Sequence, residues 1–221
     1  MEAAKQMDAV HARHPNAAGP SHRDTATSSE PFEAARMYPV IPGRLSYTAH
    51  TNNDMTRDEI RNHPALFFFS DDHQELYFPF CADFGPVNLG VVHSFCRMLR
   101  GVLAERELAH RELIYYSSTD SAERTNTAFL LAAFLVIDCG TTPEEAWAPF
   151  AAIGEPPRSW GGDRCAFETY HDATHKEKTY GLTVLSCLRG LHKALALGWY
   201  TPVDFDEVMY EYLDDPSFAD M

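Results

Sequence analysis

Apolar runs alternate with polar breaks from about position 38 onward, and each run predicts an element. Val40-Ile41-Pro42-Gly43-Arg44-Leu45-Ser46-Tyr47 predicts a short strand where order begins. Leu66-Phe67-Phe68-Phe69-Ser70 lies between Pro64 and Asp71-Asp72. It is a continuous apolar run, the pattern of a strand buried on both faces. Leu76-Tyr77-Phe78-Pro79-Phe80 predicts an extended piece at a sheet edge, since Pro79 cannot donate to a ladder. Ala82-Asp83-Phe84-Gly85-Pro86 predicts a helix start, with Asp83 near the N-cap and Pro86 in the first turn. General acid is the other role open to Asp83. Val92, Phe95, Cys96, Leu99, Val102 and Leu103 then form one helical stripe, with Arg97, Arg100, Glu105 and Arg106 on the solvated side. Leu113-Ile114-Tyr115-Tyr116 predicts a strand, and Ser117 to Glu123 a polar loop. From Arg124 a helix apolar nearly all round runs to Cys139-Gly140. Thr142-Pro143-Glu144-Glu145 is a capping sequence for a short helix through Trp147. A polar loop spans Trp160 to Lys178, and Tyr180–Leu197 predicts a long helix with Val184, Leu188, Leu191 and Leu195 on one face, closed by Gly198.

Composition changes this picture at both ends. Residues 1–37 are rich in Ala, His, Ser and Pro and poor in bulky apolar side chains, which predicts a disordered tail. The chain has 221 residues, 45% of them hydrophobic, enough for one domain with a core. No apolar run reaches membrane-spanning length, and the N-terminus has no secretory h-region. The five cysteines are scattered with no CxxC and no metal-ligand spacing, the usage of reduced thiols in cytosol or nucleus. His171 and His175 have i, i+4 spacing, but without an intervening Glu at the metalloprotease position or a third ligand. No metal or cofactor is expected. The net charge of -14 argues against nucleic acid and anionic membranes and points to a basic protein or peptide partner. Asp204, Asp206, Glu207, Glu211, Asp214, Asp215 and Asp220 crowd the C-terminal end, and no Lys or Arg follows Lys193. Such a helix carries a negative face: either a solvated acidic end, or a groove wall that captures a basic peptide.

The candidate chemistry sits in Leu113–Ile137. A strand, a short polar loop and a helix make an anion site, because loop amides and the helix N-terminus point at one spot. Counting from Ser118, five residues intervene before Arg124. Cysteine-dependent phosphatases carry His-Cys, five residues, then Arg on such a unit; the thiolate attacks and the guanidinium grips phosphate. Here Ser117-Ser118 stand where His-Cys would be. A serine hydroxyl needs an adjacent general base, and none is evident beside Ser118. A residual anion site built from Ser118, Thr119 and Arg124 remains open, opposed by Asp120 and Glu123.

Five segments together carry a resemblance: ADFGPVNL (82–89), ERTNTAFLLAAFLVI (123–137), TPEEAW (142–147), YGLTVLSCLRGLHKAL (180–195) and DFDEVMYEY (204–212). Over about Pro39 to the C-terminus the chain resembles the N-terminal half of the mitotic-exit dual-specificity phosphatases, the cell-division-cycle-fourteen family. The resemblance implies an α/β domain of dual-specificity-phosphatase type over 38–200, with a central mostly parallel sheet flanked by helices and a degenerate phosphate loop. It implies that 201–221 is an acidic linker helix leading toward a catalytic domain, so that this chain is the substrate-recognition half and inert alone. Asp206, Glu207 and Glu211 match the stretch that favours a basic residue after a phosphoserine-proline site. Implied partners are basic phosphoproteins and a C-terminal catalytic domain; implied locations are nucleus, nucleolus, centrosome or spindle. The alternative is a free-standing pseudophosphatase module that docks a basic protein. An active enzyme using Ser118 is disfavoured by its hydroxyl.

Overall fold

The computed structural model describes residues 30–70, 77, 79–154 and 166–214. The N-terminal tail up to 29, Leu76 and Phe78 of the Leu76–Phe80 piece, the stretch 155–165 and the end 215–221 with Asp215 and Asp220 lie outside the described residues. The core is a four-stranded sheet in the order β2-β3-β5-β4, with β2 Tyr38–Ile41, β3 Leu45–His50, β4 Phe67–Phe69 and β5 Leu113–Ser118. β3, β5 and β4 are parallel, and β2 adds antiparallel at the β3 edge. β1 Glu30–Pro31 pairs in parallel with β6 Ile153–Gly154. Order therefore begins inside the stretch expected to be a tail: Phe32 stacks on Tyr38 with centroids 6.0 Å apart.

The single strand expected over 40–47 is a hairpin. Pro42 pre-sets the turn, Gly43 takes φ 70°, and the Arg44 amide donates back to the Ile41 carbonyl at 3.0 Å. Arg44 then ties the hairpin to the segment before β5, donating to the carbonyls of Leu103 (2.9 Å), Leu108 (2.7 Å) and Arg111 (2.6 Å). One helix went unforeseen: α1, Asn53–Asn62, capped by the Asn52 side chain on the Met55 amide.

The helix expected to open at Asp83 opens six residues later. α2 is Leu89–Ala104, and its N-cap is Asn88. Its buried stripe holds Val92, Phe95, Cys96 and Leu99 as the spacing predicts. α3, Ser121–Ile137, is the buried centre, with Phe129 to Val136 all enclosed; it packs on α2, α4 (Pro143–Ala151), α5 (Val184–Ala196) and β5. The Thr142–Glu145 capping box forms at the head of α4. α5 is shorter than Tyr180–Leu197 because Thr183 caps it, while Leu182 bridges to Tyr170. Gly198 closes it at φ 68°. α6, Glu207–Asp214, lies against α2.

Candidate functional site

The turn at the C-terminal end of β5 is where an open parallel sheet places ligands. It is far tighter than the seven-residue loop the sequence suggests. Strand pairing continues through Ser118, α3 begins at Ser121, and only Thr119 and Asp120 lie between. The Asp120 amide donates to Ser118 Oγ at 3.1 Å. Asp120 Oδ1 accepts from the amides of Ala122 (3.0 Å) and Glu123 (3.1 Å), so a carboxylate of the chain occupies the helix N-terminus.

Arg124 points elsewhere. It is buried, donates through Nη2 to the Ala166 carbonyl at 3.0 Å, and lies over the Phe32 ring at 4.2 Å. Phe32 thus covers the guanidinium expected to meet an anion. Around it, Ser121 Oγ donates to Glu168, and the Glu168 amide donates to Thr125 Oγ1 at 2.9 Å. Two amides at the head of α3 thus serve Asp120, and Arg124 donates to Ala166.

Among the described residues no base attends the serines. Ser117 Oγ is buried against Tyr47 Oη at 2.9 Å, and burial first raises the Tyr47 phenol. His50 lies opposite Ser118 in the ladder, yet its Nδ1 is 3.0 Å from Thr56 Oγ1. The Thr56 hydroxyl is shared with the Asn52 carbonyl at 3.3 Å. His50 Nε2 is buried with no hydrogen bond among the described residues, and burial lowers the imidazole pKa. Asp83 is neither N-cap nor general acid. Burial alone would raise its pKa, but the Tyr77 hydroxyl and the Cys81 and Phe80 amides donate to it and hold it at about 2. An acid that strong has no proton to give near neutrality.

The acidic helix is also turned differently from the expectation. Glu207 pairs with Arg97 at 2.9 Å, Asp214 accepts from Asn88 Nδ2 at 2.6 Å, and Tyr210 Oη accepts from the Leu89 amide at 3.3 Å. Positions 207, 210 and 214 thus form the stripe on α2. Asp206 caps α6, accepting from the Met209 amide at 2.9 Å. Glu211 is exposed and makes no ion pair among the described residues. The outward face is apolar: Val208, Met209, Tyr212 and Leu213 are all exposed. Arg97 and Arg100 are exposed, as their place off the stripe predicts, and each also makes an ion pair, Arg97 with Glu207 and Arg100 with Asp138 at 2.6 Å. No spacing in one sequence announces such pairs. His171 and His175 fall in an irregular stretch, not on a helix, and no metal-holding cluster is found among the described residues.

Comparison with known proteins decides the lineage. Residues 39–194 match the family described as dual specificity protein phosphatase, N-terminal half. The chain belongs to that family. Mouse dual specificity protein phosphatase CDC14A is 35% identical over 159 residues, covering 70% of this chain and 25% of that protein. Tyrosine-protein phosphatase cdc-14 of Caenorhabditis elegans is 28% identical over 180 residues, 79% of this chain and 24% of that protein. The Schizosaccharomyces pombe CDC14 homolog is 33% identical over 134 residues, 60% and 23%. The chain thus spans about a quarter of the length of these relatives. Within this N-terminal half, the mainly parallel sheet flanked by helices is the architecture expected from the sequence.

Proposed function

We propose that this chain is the substrate-recognition half of a dual-specificity protein phosphatase and performs no phosphoryl transfer by itself. The observation that carries this reading is the tenanted turn after β5. Ser118 stands in the nucleophile position without a base, Asp120 fills the amides, and Arg124 donates to Ala166 under Phe32. The relatives' names make them phosphatases, and their greater length leaves room for a catalytic part outside the matched segment. α6 serves recognition in this reading. Glu211, exposed, is the lead contact for a basic residue of the substrate; Asp206 adds charge from the N-cap, and Glu207 sits further in, shared with Arg97.

The test is a titration of the chain, with and without a relative's catalytic half, by a phosphoserine-proline peptide carrying a downstream lysine. Catalysis should appear only in the mixture. Glu211→Gln with Asp206→Asn should weaken use of the lysine peptide and leave an alanine peptide untouched; Asn keeps the cap. Robust aryl phosphate hydrolysis by the chain alone, lost in Ser118→Ala, overturns the reading. A second reading, a free-standing module docking a basic protein, is favoured by the net charge of -14. A native polypeptide near 25 kDa on an immunoblot, with a stop codon after Met221, supports that second reading; a much heavier band supports the first.

A further inference from the structure

A cavity of about 320 Å³ opens between Tyr77, Asp83, Gly85 and Pro86 on one side and residues of 170–182 on the other, and none of its lining residues belongs to the β5–α3 turn. Tyr77, Tyr170 and Tyr180 line it together with Pro86 and Leu182, and Asp83 and Asp172 supply carboxylates. Among the described residues that line it, none is a lysine or arginine. We propose that this cavity receives an N-alkylated ammonium group, a quaternary cation of the trimethylammonium kind.

The argument rests on which groups are already engaged. Asp83 is buried, ionised, and accepts from the Tyr77 hydroxyl and two amides. It offers negative potential with few lone pairs to spare. Tyr77 has its proton committed to Asp83, so what remains to a guest is chiefly its ring. Tyr170 is 1% exposed, its hydroxyl enclosed with no hydrogen bond among the described residues, and its ring leans on Phe84 with centroids 5.2 Å apart. Tyr180 is exposed and is one of the lining residues. Asp172 is exposed and already solvated, while His171 directs Nδ1 to the Asp172 carbonyl at 2.7 Å.

The walls combine negative charge and aromatic carbon, and the buried carboxylate among them, Asp83, is already engaged. A primary ammonium brings three donors and a guanidinium five, which only Asp172 and the Tyr170 hydroxyl are free to meet. A quaternary ammonium brings none, and aromatic rings beside carboxylates are the chemistry that holds it. The volume lies at the lower end for small-ligand pockets, roughly 300–1,000 Å³, which suits a compact head group on a stem. The site uses no residue of α6 or of the turn after β5, so it stands or falls apart from the recognition reading.

The experiment is an NMR titration of the 221-residue chain with choline, with its neutral carbon isostere 3,3-dimethylbutan-1-ol, and with ethanolamine. Choline should shift the Tyr77 and Tyr180 ring signals and bind about tenfold more tightly than either control, the scale of a desolvated cation–π contact. Equal binding of the isostere shows a plain apolar hole, and equal binding of ethanolamine shows a plain carboxylate; either overturns the proposal, as does silence to choline through the millimolar range. Tyr180→Ala alters an exposed side chain and should keep the melting temperature while weakening choline; unchanged binding there also overturns it. A trimethyllysine peptide that binds more tightly than choline makes the source a modified protein side chain. An equal or weaker peptide makes it a small molecule.

Discussion

Asp120 does at the head of α3 what a bound oxyanion does in a phosphate loop, accepting from successive helix amides. Replacing it by alanine removes the N-cap, at a cost of roughly 0.5–2 kcal/mol. It also frees those amides. The melting temperature of Asp120→Ala should fall and then recover partly in added phosphate, while the native chain should show no phosphate response. A phosphate response in the native chain would mean that the residual anion site of Ser118, Thr119 and Arg124 is real. Two further residues set the pH dependence. Asp83 is held at about 2, below its ordinary 3.8, so the unfolded chain binds its proton more readily. Its contribution is fully present above pH 3.8 and is lost as pH falls toward 2. His50 is pushed below 6.5 by burial, so again the unfolded state binds the proton more readily, and its contribution is lost as pH falls below 6.5. Urea midpoints at pH 8 and pH 5 should therefore differ in that direction, and less so in His50→Asn. His93, also lowered by burial first, retains part of the slope.

The elements themselves show what a pattern of apolar positions conveys. Strand β5, the α2 stripe, the all-apolar α3 and the α4 capping box follow from short-range rules, because periodicity and caps act within a turn or two; β4 forms where its apolar run lies, but as a half-buried edge strand and not one buried on both faces, since which strand ends at the edge is set by the distant pairing with β5. Those rules lose force where the decisive partner is distant. Asp83 reads as a cap, yet it serves the Tyr77–Cys81 segment, and α2 waits for Asn88, whose side chain also reaches Asp214. Arg124 reads as a phosphate ligand because the spacing to Ser118 is right, and only the fold brings Ala166 and Phe32 to it. The acidic helix reads as a negative face, but the acids at 207 and 214 turn toward α2. Gly85 marks one such long-range fit. A Cβ there would lie 2.5 Å from Asn126 Oδ1 and 2.7 Å from the Tyr170 ring. Gly85→Ala should therefore destabilise by about 1–3 kcal/mol, the ordinary range for overpacking, as read by denaturant midpoint. Gly90→Ala is milder, meeting Tyr210 at 3.0 Å. Arg97→Gln should change global stability by no more than about 1 kcal/mol, since its pair with Glu207 is largely solvated.

At the scale of the molecule, charge and apolar surface are distributed unequally. The chain carries a net charge of -14, yet the outer face of α6 presents Val208, Met209, Tyr212 and Leu213 to solvent, and Trp199 and Val203 before it are exposed as well. Apolar side chains grouped on one helix face mark a protein contact, unlike single exposed ones. The contact that suits the recognition reading is with the catalytic part of the relatives, since α6 follows the matched segment 39–194. On the proposed reading both roles would meet on one helix, with Asp206 and Glu211 addressing the substrate's basic residue and the apolar positions joining the catalytic domain. Val208→Asp with Leu213→Asp separates them. Both side chains are about three-quarters exposed, at 77% and 74%, so the double variant should melt within roughly 0.5 kcal/mol of the parent for each change. In size-exclusion chromatography it should fail to co-elute with a relative's catalytic half, whereas Glu211→Gln should co-elute and lose only the preference for basic peptides. Co-elution of the double variant would detach the apolar face from domain docking and leave the acidic end of α6 to act by itself.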